Sequence, residues 1–398
     1  MVRIVTSLKE IKNKNVWIIC DRFLADGEGL QGLIGQLDTS NNVHIFTDVV
    51  PDPPISKVAG GVSEAGKIQP QVMIAFGGGS AIDTAKGIYY FAKRLEKINI
   101  STFIAIPTTS GTGSEVTAAT VITDPTTKIK YPLFLDELIP DMAILDAQLV
   151  VTVPPAITAN TGMDVLTHAI EAYVSKDASD YTDALGEKSV QLTLRFLTSC
   201  YDDGRNLANR EKMHNASTMA GMAFNCANLG LNHSIAHQLG AQFHVPHGLA
   251  NAILLDAVIR FNAFKNRETE QKYAEMARIC GIASRSDSNE TAVRLLRERI
   301  VAMMEHMQMP RTLTDAGVAK EKVYAKMDEI ATNALKDACL PTSPTTPSHQ
   351  ELKRNFRTNN LEFTLKRRIN YVSIFGGIYW YDGFNYVWER PFSRIDFK

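Results

Sequence analysis

The stretch AFGGGSAIDTAKGIYYFAK, residues 75–93, decides the fold of the first part of the chain. The apolar run that leads into it, at residues 72–76, has the length and composition of a buried parallel strand. Three glycines follow, and the 3.6-residue period of a helix begins directly after them. Glycines there let the backbone approach a phosphate, whose charge the free N–H groups of the helix N-terminus stabilise. The stretch predicts a phosphate-binding strand–turn–helix unit, although a GGGS turn alone also occurs in ordinary βα connections.

A second loop of glycines and hydroxyl residues supports a pyrophosphate cradle. PTTSGTGSEVT, residues 107–117, follows another apolar run, TFIAI. The strand-like run VWIIC ends in Asp21, where a carboxylate commonly hydrogen-bonds a ribose hydroxyl and repels a 2′-phosphate. This position favours NAD(H) over NADP(H), although an exposed Asp at the end of a strand is equally common.

The order of predicted elements gives the fold class. The first 155 residues contain short apolar runs bounded by turn residues and separated by amphipathic segments: VWIIC, VHIFTDV, VMIAF, TFIAI, TAATVIT and DMAILD. This alternation implies a parallel sheet with helices on both faces. From Pro154 onward helical periodicity dominates. We therefore predict a Rossmann-like α/β dinucleotide-binding domain over residues 1–155 and an all-α metal-binding domain over 156–340. Residues 341–398 are predicted to be a Pro/Ser/Thr linker and an aromatic-rich tail.

Four residues of the helical part form a candidate metal site. Asp164 and His168 lie in TGMDVLTHAIEAYV at i and i+4, so both side chains point from one helix face. His233 and His247 lie in LGLNHSIAHQLGAQFHVPHGLANA. Any one of these histidines alone is more often an ordinary helix residue, but burying several imidazoles without partners is costly. Three imidazoles and a carboxylate suit Fe²⁺ or Zn²⁺, and we expect the active site in the cleft between the two predicted domains.

Bulk composition excludes several other classes of protein. The 398 residues carry 42 basic and 43 acidic side chains, so charge gives no argument for nucleic acid or an anionic membrane as partner. Five scattered cysteines without a C-x-x-C pair indicate reduced thiols. The N-terminal residues lack the apolar core of a signal peptide, and no apolar run has the length of a membrane span. We expect a soluble cytoplasmic protein.

Four blocks together resemble one known family, over about residues 7–340: GGGSAIDTAK, PTTSGTGSEVT, TGMDVLTHAIEAYV and NHSIAHQLGAQFHVPHGLANA. Their order and spacing match the iron-dependent (group III) alcohol dehydrogenases. The resemblance implies the dehydroquinate synthase-like fold of that family, Fe²⁺ with Zn²⁺ as the alternative, NAD(H), a small aldehyde or alcohol substrate, and a homodimer or higher homo-oligomer. The match is strongest to the branch from propanediol-utilisation microcompartments, which implies propionaldehyde and 1-propanol as substrates, and shell proteins or neighbouring enzymes as partners.

The resemblance also assigns roles to individual positions. It implies metal ligation by Asp164, His168, His233 and His247, and a catalytic, non-ligating role for His237. The positions implied to bind the cofactor are Asp21, Gly77, Gly78, Gly79, Ser80, Asp83, Thr108, Thr109, Thr112 and Lys130. Lys86 matches a further position of the helix after the glycines. Phe224, Leu229 and Cys339 fall where relatives line the substrate pocket.

Two other functions compete with this one. A glycerol or 1,2-/1,3-propanediol dehydrogenase, or a zinc-bound dehydroquinate synthase-like enzyme, would keep the fold and change the substrate. An inactive component of a microcompartment assembly would keep the fold and lose catalysis. The four candidate ligands and both phosphate loops favour an active dehydrogenase.

Overall fold

A five-stranded parallel sheet forms the core of the first part of the chain. The structure, a computed structural model, describes residues 8–51, 53–124 and 129–353, with the side chains of residues 124 and 129–132 outside that description. The strands of the sheet are β1 (Asn15–Cys20), β2 (Asn42–Phe46), β3 (Val72–Gly77), β4 (Thr102–Pro107) and β7 (Met142–Ala143). They lie in the order β2-β1-β3-β4-β7, and every adjacent pair is parallel. The predicted Rossmann-like parallel sheet is confirmed.

Helices cover both faces of this sheet. They are α1 (Glu28–Ile34), α2 (Ile55–Ile68) and α3 (Gly79–Leu95). Successive residues of β1 point to opposite faces, so Ile18 packs with α1 while Trp17 packs with α2 and α3. Every residue of β3 is buried, as expected for a central strand of a parallel sheet covered on both sides. This central strand delivers Gly77 to the carboxyl edge of the sheet.

One of the predicted sheet strands lies elsewhere. The TAATVIT run forms β5 (Ala119–Asp124), which pairs antiparallel with β6 (Ile129–Phe134) in a separate two-stranded ribbon. Four residues connect these strands, which suffices for an antiparallel hairpin, whereas a parallel pair needs a crossover of a dozen residues or more. Placing TAATVIT in the parallel sheet was therefore wrong.

The second part of the described chain is helical, as predicted. Its helices are α4 (Pro155–Val174), α5 (Asp180–Asp202), α6 (Leu207–Ala227), α7 (Leu231–Phe243), α8 (His247–Lys265), α9 (Arg267–Ile279), α10 (Asn289–His306) and α11 (Lys320–Ala334). Pro155 stands at the first position of α4, where a missing N–H costs nothing. Residues 162–174 of α4 are all buried, so this helix lies inside the helical layer with its polar side chains enclosed.

The described end of the chain packs against these helices. The Thr342 hydroxyl donates to the carbonyl of Leu229 at 2.6 Å, and the Thr345 hydroxyl donates to the side chain of Asn262. Leu352 is buried. The aromatic tail predicted beyond it lies outside the described residues. All described residues belong to one compact unit, and none of their helices is long and apolar enough to cross a membrane.

Candidate metal centre and cofactor loops

Three helices bring the four predicted metal ligands together. Asp164 and His168 extend from α4, His233 lies in the first turn of α7, and His247 is the first residue of α8. One donor atom from each lies within 4.8 Å of the other three. Three of the side chains are buried, while that of His247 is 43% exposed. The cluster is therefore open to a small molecule on the His247 side.

The spacing of the donor atoms fits a divalent metal ion. Asp164 Oδ1 lies 3.5 Å from His247 Nε2 and 3.8 Å from His233 Nε2. A tetrahedral ion with bonds of about 2.0–2.2 Å separates its ligand atoms by roughly 3.3–3.6 Å. The remaining separations among the four donors are at most 4.8 Å, about 1.2 Å beyond that spacing. The chemistry of the set, one carboxylate and three imidazoles, suits Fe²⁺ or Zn²⁺.

A buried carboxylate that the sequence prediction missed orients one of these imidazoles. Glu171 lies on α4, three residues after His168, and its Oε2 is 2.5 Å from Nδ1 of His233. Its Oε1 accepts the backbone N–H of Asn232 at 2.7 Å. Because the carboxylate accepts the proton of Nδ1, Nε2 of His233 keeps its lone pair and faces Asp164. The signal was the i+7 spacing from Asp164 on the same helix face.

A pair of buried asparagines is hydrogen-bonded to the cluster. The Asn251 side-chain Nδ2 donates to Asp164 Oδ1 at 2.7 Å and lies 3.0 Å from Nε2 of His233. Asn232 Nδ2 lies near both the carbonyl oxygen of Asn251, at 3.2 Å, and its Oδ1, at 2.9 Å. A backbone carbonyl can only accept, so the Asn232 amide presents its nitrogen there and Asn251 presents its own nitrogen to Asp164. Asn251 thus fixes the carboxylate direction.

The pKa shifts of His233 and Asp164 favour the protonation states of metal ligands. Burial, together with the neighbouring His168 and His247 rings, holds the pKa of His233 well below its usual value, so its imidazole is neutral. Burial alone would raise the pKa of Asp164, but the three imidazoles and the Asn251 hydrogen bond outweigh it and lower that pKa. Neutral imidazoles and an ionised carboxylate are the forms that bind metal.

His237 lies beside the cluster and is held by a second carboxylate. Its ring stacks on His247 at 5.6 Å between centroids, one helical turn after His233. Its Nδ1 is 2.9 Å from Asp337 Oδ2, and Asp337 Oδ1 accepts the backbone N–H of Cys339 at 2.9 Å. Asp337 is 100 residues from His237, so no local pattern could have indicated this pair.

The two predicted phosphate loops meet at the carboxyl edge of the sheet. A Cβ added at Gly77 would lie 2.8 Å from Asp21 Oδ2, and one added at Gly79 would lie 2.7 Å from Cγ2 of Thr112. One added at Gly78 would lie 3.3 Å from Oγ1 of Thr109. The glycines therefore permit a close approach of both loops that other residues would block.

The other candidate cofactor residues lie in or next to the two loops and form hydrogen bonds there. The N–H of Thr108 donates to the carbonyl of Gly77 at 2.9 Å, and the carbonyl of Ser80 accepts from the Thr84 hydroxyl at 2.7 Å. Asp83 Oδ1 accepts from the Ser114 hydroxyl at 2.7 Å. Lys130 lies in β6, and its side chain is outside the described residues.

The ammonium group of Lys86 is buried and hydrogen-bonded within the protein. It is fully buried and donates to the carbonyls of Thr117 and Ala119 at 2.6 and 2.9 Å. Burial lowers the pKa of Lys86 to about 8 despite the nearby Asp83 and Glu115. This lysine anchors the far end of the second phosphate loop.

The second predicted phosphate loop packs against two helices that border the metal cluster. A Cβ at Gly111 would lie 2.8 Å from Cβ of Thr161, which is three residues before Asp164 on α4. Gly113 meets Gly221 of α6 equally closely, and Phe224 of α6 stacks on His168 with 4.5 Å between ring centroids. The loop thus contacts α4 one helical turn before Asp164, and contacts α6 one turn before the ring that stacks on His168.

Two of the three predicted substrate residues lie beside histidines of this region. Besides Phe224 on His168, Cys339 lies with His237 and Asp337 in a group whose donor atoms are within 4.8 Å of one another. Leu229 is half-buried, and its carbonyl accepts from Thr342.

A parallel sheet with glycine-rich loops at its carboxyl edge, beside a four-donor cluster that could hold a metal ion, is typical of a metal-dependent, dinucleotide-linked enzyme. Comparison with known families narrows this class. The model described as iron-containing alcohol dehydrogenase matches residues 2–147, and that of the C-terminal part of the Fe-containing alcohol dehydrogenase family matches residues 158–359. The chain belongs to the iron-containing alcohol dehydrogenase family.

Individual relatives agree with this assignment. The 1-propanol dehydrogenase PduQ of Salmonella typhimurium is 51% identical over 337 residues, which cover 85% of this chain and 90% of the relative. The crystal structure of a 1,3-propanediol oxidoreductase has a TM-score of 0.82 and 34% identity, covering 87% of this chain and 92% of the other. Sulfoacetaldehyde reductase of Bifidobacterium kashiwanohense, in complex with NAD⁺, has a TM-score of 0.77 and 27% identity, covering 90% and 92%.

Proposed function

We propose that this enzyme interconverts propionaldehyde and 1-propanol with NAD(H) and a divalent iron ion. The observation that carries the proposal is the four-donor cluster of Asp164, His168, His233 and His247, with a Gly/Thr loop that contacts α4 one helical turn before Asp164. The 51% identity to a 1-propanol dehydrogenase supports the substrate pair. In the reductive direction, aldehyde, NADH and a proton give the primary alcohol and NAD⁺.

Two bound groups would supply chemistry that the side chains lack. The iron would provide a Lewis acid for the substrate oxygen, and the nicotinamide would provide or accept the hydride. In our proposal Asp164, His168, His233 and His247 hold the iron. Glu171 holds His233 in the orientation that turns Nε2 toward Asp164, and Asn251 hydrogen-bonds the Asp164 carboxylate.

Cofactor binding is assigned to the loops at the edge of the sheet. We propose that Gly77–Ser80 and Thr108–Thr112 bind the pyrophosphate, and that Asp21 binds the adenine ribose. The half-buried Asp21 carboxylate accepts the N–H of Gly78, and burial raises its pKa. A 2′-phosphate near this carboxylate would meet like charge, which favours NAD(H). We further propose the division into a cofactor-binding domain at residues 1–155 and a metal-binding domain at 156–340.

His237 is the residue that we propose to move the proton. Asp337 accepts the proton of Nδ1, so Nε2 is left to take a proton from the alcohol or, when protonated, to return it to the developing alkoxide. The ring lies beside His247, on the open side of the cluster. Its carboxylate partner, Asp337, fixes the orientation of the ring.

The substrate and cofactor assignments are tested by steady-state kinetics on the iron-loaded enzyme. We expect the highest kcat/KM for propionaldehyde among aldehydes of two to five carbons, and a preference for NADH over NADPH. If kcat/KM for the oxidation of glycerol or 1,3-propanediol exceeds that for the oxidation of 1-propanol, the proposed substrate is wrong. Absence of turnover in an iron-loaded protein that binds NADH would favour the inactive assembly component.

The proposed assembly state rests on the sequence resemblance. We propose a homo-oligomer associated with a propanediol-utilisation microcompartment in the cytoplasm. Light scattering of the purified protein measures the first part, and a monomer at micromolar concentration would contradict it. Co-purification with microcompartment shells from cells that express both measures the second part, and a protein found entirely outside them would contradict it.

A further inference from the structure

A second group of metal-binding side chains lies next to the iron ligands. His237 comes from α7, while Asp337 and Cys339 come from the turn after α11. Their donor atoms, a nitrogen, a carboxylate oxygen and a sulfur, lie within 4.8 Å of one another. Sulfur is the donor type that the Asp164, His168, His233 and His247 cluster lacks. The two groups therefore differ in the metals they favour.

The imidazole of His237 and the thiol of Cys339 already converge on the carboxylate of Asp337. Asp337 Oδ2 is 2.9 Å from Nδ1 of His237, and the Cys339 side chain also hydrogen-bonds this carboxylate. The backbone N–H of Cys339 donates to Asp337 Oδ1 at 2.9 Å and fixes the turn. The Asp337 side chain is 12% exposed and that of His237 is 38% exposed, so a small ion reaches the group from solvent.

We propose that His237, Asp337 and Cys339 form a second cation site, which binds Zn²⁺ or another borderline or soft divalent ion such as Cd²⁺. Tetrahedral zinc with bonds of about 2.0–2.3 Å places its ligands roughly 3.3–3.7 Å apart. The His237 and Asp337 donors, now 2.9 Å apart, would open by about 0.4–0.8 Å, and any wider separation, up to 4.8 Å, would close by about 1 Å. The fourth position is left for water.

Charge and ligand type explain why this site discriminates between metals. A thiolate and a carboxylate together neutralise the two positive charges, so the ion is not a net charge in a half-buried place. Thiolate ligands favour Zn²⁺ and Cd²⁺, whereas imidazoles with a carboxylate suit Fe²⁺. Binding displaces the thiol proton of Cys339, which burial and Asp337 otherwise retain.

Occupation of this site would inhibit the enzyme, a consequence that rests on the proposed function. An ion on Nδ1 of His237 replaces the proton now given to Asp337. The imidazole then carries its proton on Nε2 and cannot accept another one from the alcohol. Binding itself does not depend on the role of His237, so the two claims are measured separately.

Binding is measured by titrating Cd²⁺ into the iron-loaded enzyme and recording the ultraviolet charge-transfer absorption of a cadmium–thiolate bond. We expect one equivalent to produce this absorption, and Cys339→Ser to abolish it. Cys226→Ser is the matched control. Cys226 is exposed on α6, and its substitution should leave the absorption intact. The absence of the absorption in the unmodified enzyme, or its persistence in Cys339→Ser, would overturn the proposal.

A second variant guards against a folding defect in Cys339→Ser. Asp337→Asn keeps the thiol and removes a charged ligand, so its Kd for Cd²⁺ should rise by at least about tenfold. Both variants should retain iron and NADH binding. Zn²⁺ should inhibit the unmodified enzyme. The Zn²⁺ concentration that halves the rate should be at least about tenfold higher for Cys339→Ser, with each rate taken relative to that of the same protein without zinc. Cadmium–thiolate absorption without zinc inhibition would keep the cation site and refute the role given to His237.

Discussion

Replacing Glu171 by Gln tests how the protein prepares His233 for metal. The Glu171 carboxylate accepts from Nδ1 of His233 and from the backbone N–H of Asn232, with the N–H of His233 at 3.4 Å. An amide offers one accepting oxygen and an NH₂ group, so at least one of these donors would face another donor. His233 would then also lose the partner that keeps Nε2 unprotonated.

The expected cost follows from the removed contacts. Loss of a carboxylate behind a metal-bound histidine typically weakens metal binding about 10–100-fold, which corresponds to about 1.4–2.7 kcal/mol. The buried donor left unsatisfied should lower the free energy of unfolding by about 1–3 kcal/mol as well. Glu171→Gln should therefore fold and bind NADH, but it should bind iron more weakly than the unmodified enzyme does.

Anaerobic competition with a chelator measures the iron Kd of both proteins. Glu298→Gln is the control, because Glu298 is exposed on α10 and pairs with Arg294. Glu171→Asp should recover part of the affinity, since it keeps the carboxylate at a shorter reach. An iron Kd of Glu171→Gln within about twofold of the unmodified enzyme, a difference below about 0.4 kcal/mol, would refute the reasoning.

Three further predictions concern catalysis, cofactor choice and acid stability. His237→Ala should keep iron and NADH binding and lose about 10²–10⁴-fold in kcat, measured by NADH oxidation with propionaldehyde; loss of the iron instead would make His237 a ligand. Asp21→Gly should reduce the preference for NADH over NADPH by roughly tenfold to a hundredfold, as removal of about 1–3 kcal/mol of repulsion requires; an unchanged ratio of kcat/KM values would place the 2′-phosphate elsewhere. Burial lowers the pKa of His214 from 6.5 to about 4, so its neutral form stabilises the fold above pH 6.5. That contribution is lost as pH falls from 6.5 toward 4, and His214→Asn should lack up to about 3 kcal/mol of this decline in urea unfolding; parallel pH curves would contradict it.

The iron-ligand candidates could be predicted because their chemistry is local. The i+4 spacing of Asp164 and His168 places both on one helix face, and the Gly/Thr loops follow apolar strands at recognisable positions. The same rule places Glu171 on the face of Asp164, so that carboxylate was within reach of sequence reasoning. Its contact with His233 was not, because it depends on how α7 packs against α4.

Other contacts have no local signal. Asp337 and His237 are brought together by the packing of α11 beside α7, and Asn251 meets Asp164 through the crossing of α8 and α4. The β5–β6 ribbon shows the opposite case. Only its first strand was predicted, and because the run that forms β6 was not recognised as a strand, the alternating pattern before it favoured a parallel sheet.

The central claim is that the cluster containing His247 holds the catalytic metal. Its most direct test measures iron content and turnover on the same samples of His247→Ala. The matched control is His244→Asn. His244 lies three residues before His247, is exposed, and has a left-handed backbone conformation that Asn tolerates. We expect about one iron per chain and full propionaldehyde reduction in the control and the unmodified enzyme. His247→Ala should lose both together. Full turnover by iron-free His247→Ala would contradict the assignment of the catalytic metal to this cluster.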